Sequence, residues 1–283
     1  MKTLKLMVSL AIIGAITFSC KENKKESDAV EEGAMDQTEA KVDIVGKELT
    51  YATDTTQMKG YIVFDDALAE KRPGVLVVHE WWGHNDYSRK RAEMLAELGY
   101  TALAVDMYGD GKQADHPDDA GKFAGMVMSN MPAAKARFMA AMGQLKNHPS
   151  VDSTKIAAIG YCFGGSVVLT MANAGMDLDA VAAFHSGVAL PVMPNEDLKA
   201  KVLVCNGADD PFISEESVET FKKKMDSIGA DYKYIAYEGA KHSFTSKEAD
   251  ANGEKFNLPL AYNEKANQAS WEELKSLLNE AFE

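Results

Sequence analysis

One cysteine framed by glycines, Gly160-Tyr161-Cys162-Phe163-Gly164-Gly165, stands between the apolar runs KIAAI and SVVLTMA. The flanking runs read as a buried strand and a buried helix, so the chain must pass from one to the other within a few residues. Glycines two before and two after Cys162 remove the side chains that would collide in so sharp a turn. Gly-x-nucleophile-x-Gly is the spacing of a nucleophile elbow, in which a strained strand-to-helix turn presents the central side chain. A cysteine between apolar runs is by itself ordinary core material. In an elbow the same thiol lies at a helix N-terminus, whose partial positive charge favours thiolate.

The rest of the chain supplies a fold for such a turn. From about residue 47, strand-like and helix-like stretches alternate, which predicts an α/β domain over 47–283 with a mostly parallel central sheet flanked by helices. ELTYATD and MKGYIVFD read as an opening antiparallel pair. VLVVHE (75–80), a helix over 87–98, TALAVDMY (101–108) and helices to about 147 follow. KIAAIGYC (155–162), a helix to about 174, AVAAFHSG (180–187), KVLVCNG (201–207), a helix over 214–228 and DYKYIAYE (231–238) continue the pattern. The tail AYNEKANQASWEELKSLLNEAF carries apolar residues at helical spacing. This order fits an α/β-hydrolase fold with the nucleophile at the end of the fifth strand.

The first residues have another character. MKTLK followed by LMVSLAIIGAITF is a basic start and an apolar stretch too short to span a membrane comfortably as a mature helix. Residues 1–19 read as a signal peptide, and the following Cys20-Lys-Glu resembles a bacterial lipoprotein junction with Cys20 as the lipidated residue. Residues 20–46 read as a charged tether too weakly hydrophobic to fold. The expected location is the bacterial cell envelope, anchored to a membrane by lipid. A net charge of −13, with no basic cluster after Lys25, argues against nucleic acid as a partner. A monomer is expected.

A thiol nucleophile needs a base and an orienting acid, which in this fold follow in the order nucleophile, acid, histidine. Of six histidines, only His242 follows both Cys162 and the last strand. The acid belongs after KVLVCNG, where the chain reads Gly207-Ala208-Asp209-Asp210-Pro211. Spacing and the proline favour Asp210, with Asp209 as the alternative. Cys205 reads as a buried strand position, and a strand-interior cysteine seldom meets disulfide geometry with one at a strand end.

Taken with HEWWG at 79–83, DMYG at 106–109, GADDPF at 207–212, HSF at 242–244 and the YNEKANQASW tail, GYCFGG resembles the dienelactone hydrolase family of α/β-hydrolases. The resemblance implies Cys162 as nucleophile, Asp210 as acid and His242 as base. It further implies that Glu80 sits beside the thiol and helps form the thiolate, and that the Trp81 amide belongs to the oxyanion hole. The second donor is the amide after the nucleophile, that of Phe163. Trp82, Tyr108, Tyr161, His185 and Phe244 are candidates for the substrate pocket, with core packing the other reading for each aromatic ring. A zinc reading of HEWWGH fails, because its histidines are five apart at a strand end rather than four apart on a helix. The expected activity is cleavage of small esters, lactones or thioesters through a thioester acyl-enzyme, with no cofactor or metal. The alternatives are a non-catalytic envelope lipoprotein that uses the fold as a binding module, and a thiol redox role that lacks a resolving cysteine.

Overall fold

The hinge of the architecture is the passage from β5 (Val151–Tyr161) into α4 (Phe163–Asn173), with Cys162 alone between them. A Cβ at Gly160 would run into the backbone of Gly164, and one at Gly164 into the carbonyls of Val78 and His79. Glycine at both positions lets α4 lie against the sheet at backbone distance. The structure is a computed structural model that describes residues 42–283; the signal peptide, Cys20 and nearly all of the tether lie outside the described residues.

Around this hinge the described chain builds one eight-stranded sheet. β1 (Ile44–Ala52) and β2 (Gln57–Asp65) form the antiparallel pair, so the first strand begins ahead of the expected start at 47. The other strands are β3 (Arg72–Val78), β4 (Thr101–Val105), β6 (Ala180–Phe184), β7 (Lys201–Gly207) and β8 (Tyr232–Tyr237). The order β1-β2-β4-β3-β5-β6-β7-β8 is parallel from β4 to β8. Parallel neighbours need crossovers, and the intervening segments provide them. Those before β7 are α1 (Asp86–Glu97), α2 (Pro117–Met128), α3 (Met131–Lys146) and α4. α5 (Glu215–Ser227), α6 (Ala249–Phe256) and α7 (Glu264–Phe282) follow.

The apolar runs of the central strands are buried on both faces, and their period of two sorts the side chains into two cores. Leu76, Val78, Ile156, Ala158, Val181 and Ala183 meet α3, α4 and α5. Val75, Val77, Ala157, Ile159, Ala182 and Phe184 meet α1 and α7. Each fully buried Val, Leu, Ile or Phe contributes about 1.5–3 kcal/mol. Among the described residues no helix is long and apolar enough to cross a membrane.

Two strand ends and one helix further differ from expectation. β4 stops at Val105 because the buried Asp106 carboxylate accepts from the amides of Lys59, Tyr108, Gly109 and Gly111, folding DMYG into a turn. β3 stops at Val78 because His79 Nδ1 turns back onto the Glu80 carbonyl at 2.5 Å. α6 was not expected; Gly253 allows it to pass close to the carbonyls of Leu258 and Leu260.

Gly164→Ala is expected to lower stability by about 1–3 kcal/mol, since the added methyl meets backbone that has no rotamer to yield. Gly143→Ala, in α3 with open space at its Cβ position, is expected to gain roughly 0.5–1 kcal/mol. Urea unfolding midpoints of the two variants measure the contrast.

Candidate active site

Cys162 is held at φ 53° and ψ −117°, a conformation that side chains other than glycine resist at a cost of order 1–3 kcal/mol. The surroundings impose it. The Cys162 amide donates to the Phe184 carbonyl of β6 at 2.9 Å, and the Cys162 carbonyl accepts from Gly165 at 3.1 Å within the first turn of α4. Pinned between a strand and a helix, the half-buried thiol stands at the ends of the parallel strands.

Two loops from later strands meet it there. His242, after β8, places Nε2 at 3.1 Å from the Cys162 sulfur, while its Nδ1 lies 2.7 Å from Asp210 Oδ2. Asp210, after β7, is buried and also accepts from the Phe212 amide at 2.9 Å, which fixes its carboxylate. Asp209 is exposed, so the adjacent acids divide by direction and Asp210 is the one brought to the ring. Cys162, His242 and Asp210 thus form one continuous hydrogen-bonded line. Burial by itself would lower the His242 pKa, but the Cys162 sulfur and the Asp210 carboxylate outweigh it and raise it to about 10.

Glu80 is buried beside this line and does not bond to the thiol. Its Oε1 accepts from Ser243 Oγ at 3.0 Å. Ser243, next to the imidazole, takes a positive φ of 57°, which turns its hydroxyl back toward the β3–α1 turn. Burial raises the Glu80 pKa to about 7, a rise that the Ser243 hydroxyl and the charges of His242 and Arg91 hold in check. The sequence reading missed Ser243, although it stands inside the HSF motif.

The backbone beside the thiol is also arranged. Among the described residues neither the Trp81 amide nor the Phe163 amide donates to a backbone carbonyl; Phe163 opens α4, where the first amides have no helical partner. Tyr108 donates its hydroxyl to the Trp81 carbonyl at 2.9 Å, bracing that turn. Its ring packs on His79 and Phe163 and is 1% exposed, so it supports the site from behind.

Several pocket candidates are placed elsewhere. Tyr161 is one residue out of phase with Gly160 and Cys162, so strand alternation turns its ring into the core under α1 and α7, stacked on Phe184. Phe244 enters the same core against Tyr237. His185 is buried behind His242, ring centroids 5.4 Å apart, and its Nε2 is 2.7 Å from Thr245 Oγ1. Trp82 is buried by stacking on Phe256 of α6, and only Trp81 keeps a partly open face. Phe212, noticed in the sequence only as part of GADDPF, is 54% exposed, and its ring meets His242 edge-on at 5.1 Å. An exposed aromatic ring against the buried imidazole forms one lip of the site. Cys205 is a free buried thiol whose pKa burial pushes up to about 12.

The family model described as "Dienelactone hydrolase family" matches residues 58–282, which include the whole of this constellation. The chain belongs to the dienelactone hydrolase family. It is 29% identical over 211 residues to "Protein usf" of Aquifex pyrophilus, an alignment covering 73% of this chain and 90% of that one. Among solved structures it resembles "m3DLH", with 36% identity, a TM-score of 0.81 and coverage of 85% and 99% of the two chains. It also resembles a dienelactone hydrolase-like promiscuous phosphotriesterase from metagenomic libraries, with 32% identity, a TM-score of 0.79 and the same coverage. As a dienelactone hydrolase family member with an α/β-hydrolase fold, the chain is a hydrolase of the ester or lactone type, acting on small molecules.

The raised Glu80 pKa gives a signed pH effect. Folding opposes the charged carboxylate, so the cost is absent below the ordinary carboxylate range, grows as pH rises, and is complete above about 7. Glu80→Gln is therefore expected to be more stable than the parent at pH 8.5, by up to about 3 kcal/mol, and of equal stability at pH 4. Thermal unfolding at the two pH values measures the difference.

Proposed function

We propose that the chain is a cysteine hydrolase in which Cys162, His242 and Asp210 act as nucleophile, base and orienting acid on small esters, lactones or thioesters. The observation that carries this reading is the hydrogen-bonded line from sulfur to imidazole to carboxylate, at 3.1 and 2.7 Å. The Cys162 thiol passes its proton to His242 Nε2, and the sulfur attacks the substrate carbonyl to form a C–S bond, the carbonyl π pair moving onto oxygen. The Trp81 and Phe163 amides receive the oxyanion. As the C–O bond to the leaving group breaks, His242 gives that oxygen a proton, leaving a thioester on Cys162. His242 then takes a proton from water, the water oxygen attacks the thioester, and the acid departs as sulfur regains its proton. Asp210 keeps Nδ1 protonated so that Nε2 faces the thiol throughout. To Glu80, held by the Ser243 hydroxyl, we assign the task of promoting thiolate formation once it leaves Ser243.

Cys162→Ala is expected to abolish hydrolysis of a chromogenic ester while leaving the unfolding midpoint nearly unchanged, because glycines shape the elbow. Asp210→Asn is expected to lower kcat by up to about 10⁴, and Asp209→Asn by little. Full turnover in the alanine variant, or damage from Asp209→Asn equal to that from Asp210→Asn, would remove the assignment.

We further propose that residues 1–19 are a cleaved lipoprotein signal and that Cys20 ties the enzyme to a membrane of the bacterial envelope through residues 20–46. Metabolic labelling with a fatty acid is expected to mark the wild-type chain and to fail with Cys20→Ala, which should fractionate as a soluble protein. Unlabelled wild type in the soluble fraction would overturn the proposal.

A further inference from the structure

A cavity of about 570 Å³ lies between α1, the turn 245–248 and the start of α7, and none of Cys162, His242 or Asp210 lines it. Its size suits a small organic ligand. Arg91 of α1 lines it and is only 5% exposed, yet among the described residues no carboxylate is in hydrogen-bond or ion-pair contact with it, and buried Glu80 acts on it only through space. Its Nε donates to Tyr87 Oη at 3.2 Å, and its Nη2 donates to the Thr245 carbonyl and to Asn267 Oδ1, each at 2.7 Å. Nη1 meets only the Met94 thioether, at 3.8 Å. The rings of Tyr87, Tyr161 and Trp271 surround the guanidinium at 5.2–5.5 Å.

A buried charge is ordinarily paired. Here all strong acceptors are neutral, and one edge of the guanidinium finds nothing better than sulfur in a cavity roomy enough for a carboxylate. Exposed Asp86, Glu248 and Glu264 also line the cavity and are offset at its rim by exposed Lys90 and Lys247, so Arg91 is the one buried charge in the lining and matches a single carboxylate. Tyr87, Met94 and Tyr262 offer an apolar body somewhere to lie. These features select a monocarboxylate with a small apolar body.

The cavity wall is also part of the catalytic loop. The Thr245 hydroxyl lies 2.5 Å from Tyr87 Oη and 2.7 Å from His185 Nε2, and the His185 ring packs against His242. Arg91 holds the Thr245 carbonyl, so a carboxylate that draws the guanidinium toward itself loosens the segment that carries His242.

We propose that this cavity is a second, non-catalytic site that binds a small monocarboxylate through Arg91 and lowers turnover by displacing the His242 loop through Thr245 and His185. The coupling rests on the hydrolase reading above, and its ligand is of the class that ester hydrolysis releases; the binding itself is independent of that reading.

Benzoate is the probe. Calorimetric titration is expected to give saturable binding to the wild-type protein and equal affinity for Cys162→Ala, which separates the cavity from the catalytic thiol. Arg91→Gln is expected to weaken binding at least tenfold. Because that variant removes buried hydrogen bonds, Gln268→Trp serves as a second one: Gln268 is exposed on α7 and lines the cavity, so an indole there fills the space without touching the core. It should abolish benzoate binding while keeping the wild-type unfolding midpoint. In ester assays benzoate is expected to lower kcat of the wild type and not that of Gln268→Trp. Absence of saturable binding, unchanged affinity in Gln268→Trp, or purely competitive inhibition would overturn the proposal. An active Cys162→Ala would sink the mechanism above while leaving the titrations to decide the cavity.

Discussion

The contact on which the rest depends is backbone against backbone, where α4 lies over the ends of β3 and β5. Gly160 and Gly164 are close enough that a methyl on either would enter the neighbouring main chain. This proximity leaves one residue to span strand and helix, and that residue must take a positive φ. The strain at Cys162 is therefore a product of packing, and the sheet and helix that impose it are too well buried to relax. The same geometry exposes the first amide of α4 beside the thiol and sets the end of the parallel sheet as the place where loops gather. In an open parallel sheet those loops leave from the same edge, so residues far apart in sequence converge there.

Low polarizability around this convergence makes each charge consequential. His242 is buried and would by that fact alone favour its neutral form; the sulfur and Asp210 on its two sides reverse the balance. Glu80 is buried with one hydroxyl as its hydrogen-bond partner, and its pKa moves toward neutrality. Burial thus ends differently for the two groups, because His242 lies between the sulfur and a carboxylate while Glu80 has a neutral hydroxyl as its hydrogen-bond partner. Arg91 extends the pattern to the far side of the His242 loop. Its neutral partners satisfy most of its donors but leave its charge without a bonded counter-ion, and a cavity stands beside it. The His242 loop and the cavity share Thr245, whose carbonyl and hydroxyl face different partners.

Local chemistry was written plainly in the chain. Glycines around Cys162 announced the elbow, unbroken apolar runs announced strands buried on both faces, and the order of Cys162, Asp210 and His242 announced which loops would meet. These features depend on neighbours within a few residues or on the order of elements, and both survive in one dimension. Whatever depended on direction was decided by the tertiary structure. Asp209 and Asp210 differ in sequence by one position and in space by the turn that buries one and exposes the other. Tyr161 adjoins Cys162 yet points into the α1 and α7 core, because neighbours along an extended chain face opposite ways, and Phe244 enters the same core from the turn beyond His242. Ser243 holding Glu80, and Arg91 holding Thr245, join residues more than 150 positions apart. No local pattern encodes such pairs, since each exists only where the fold brings two distant segments together.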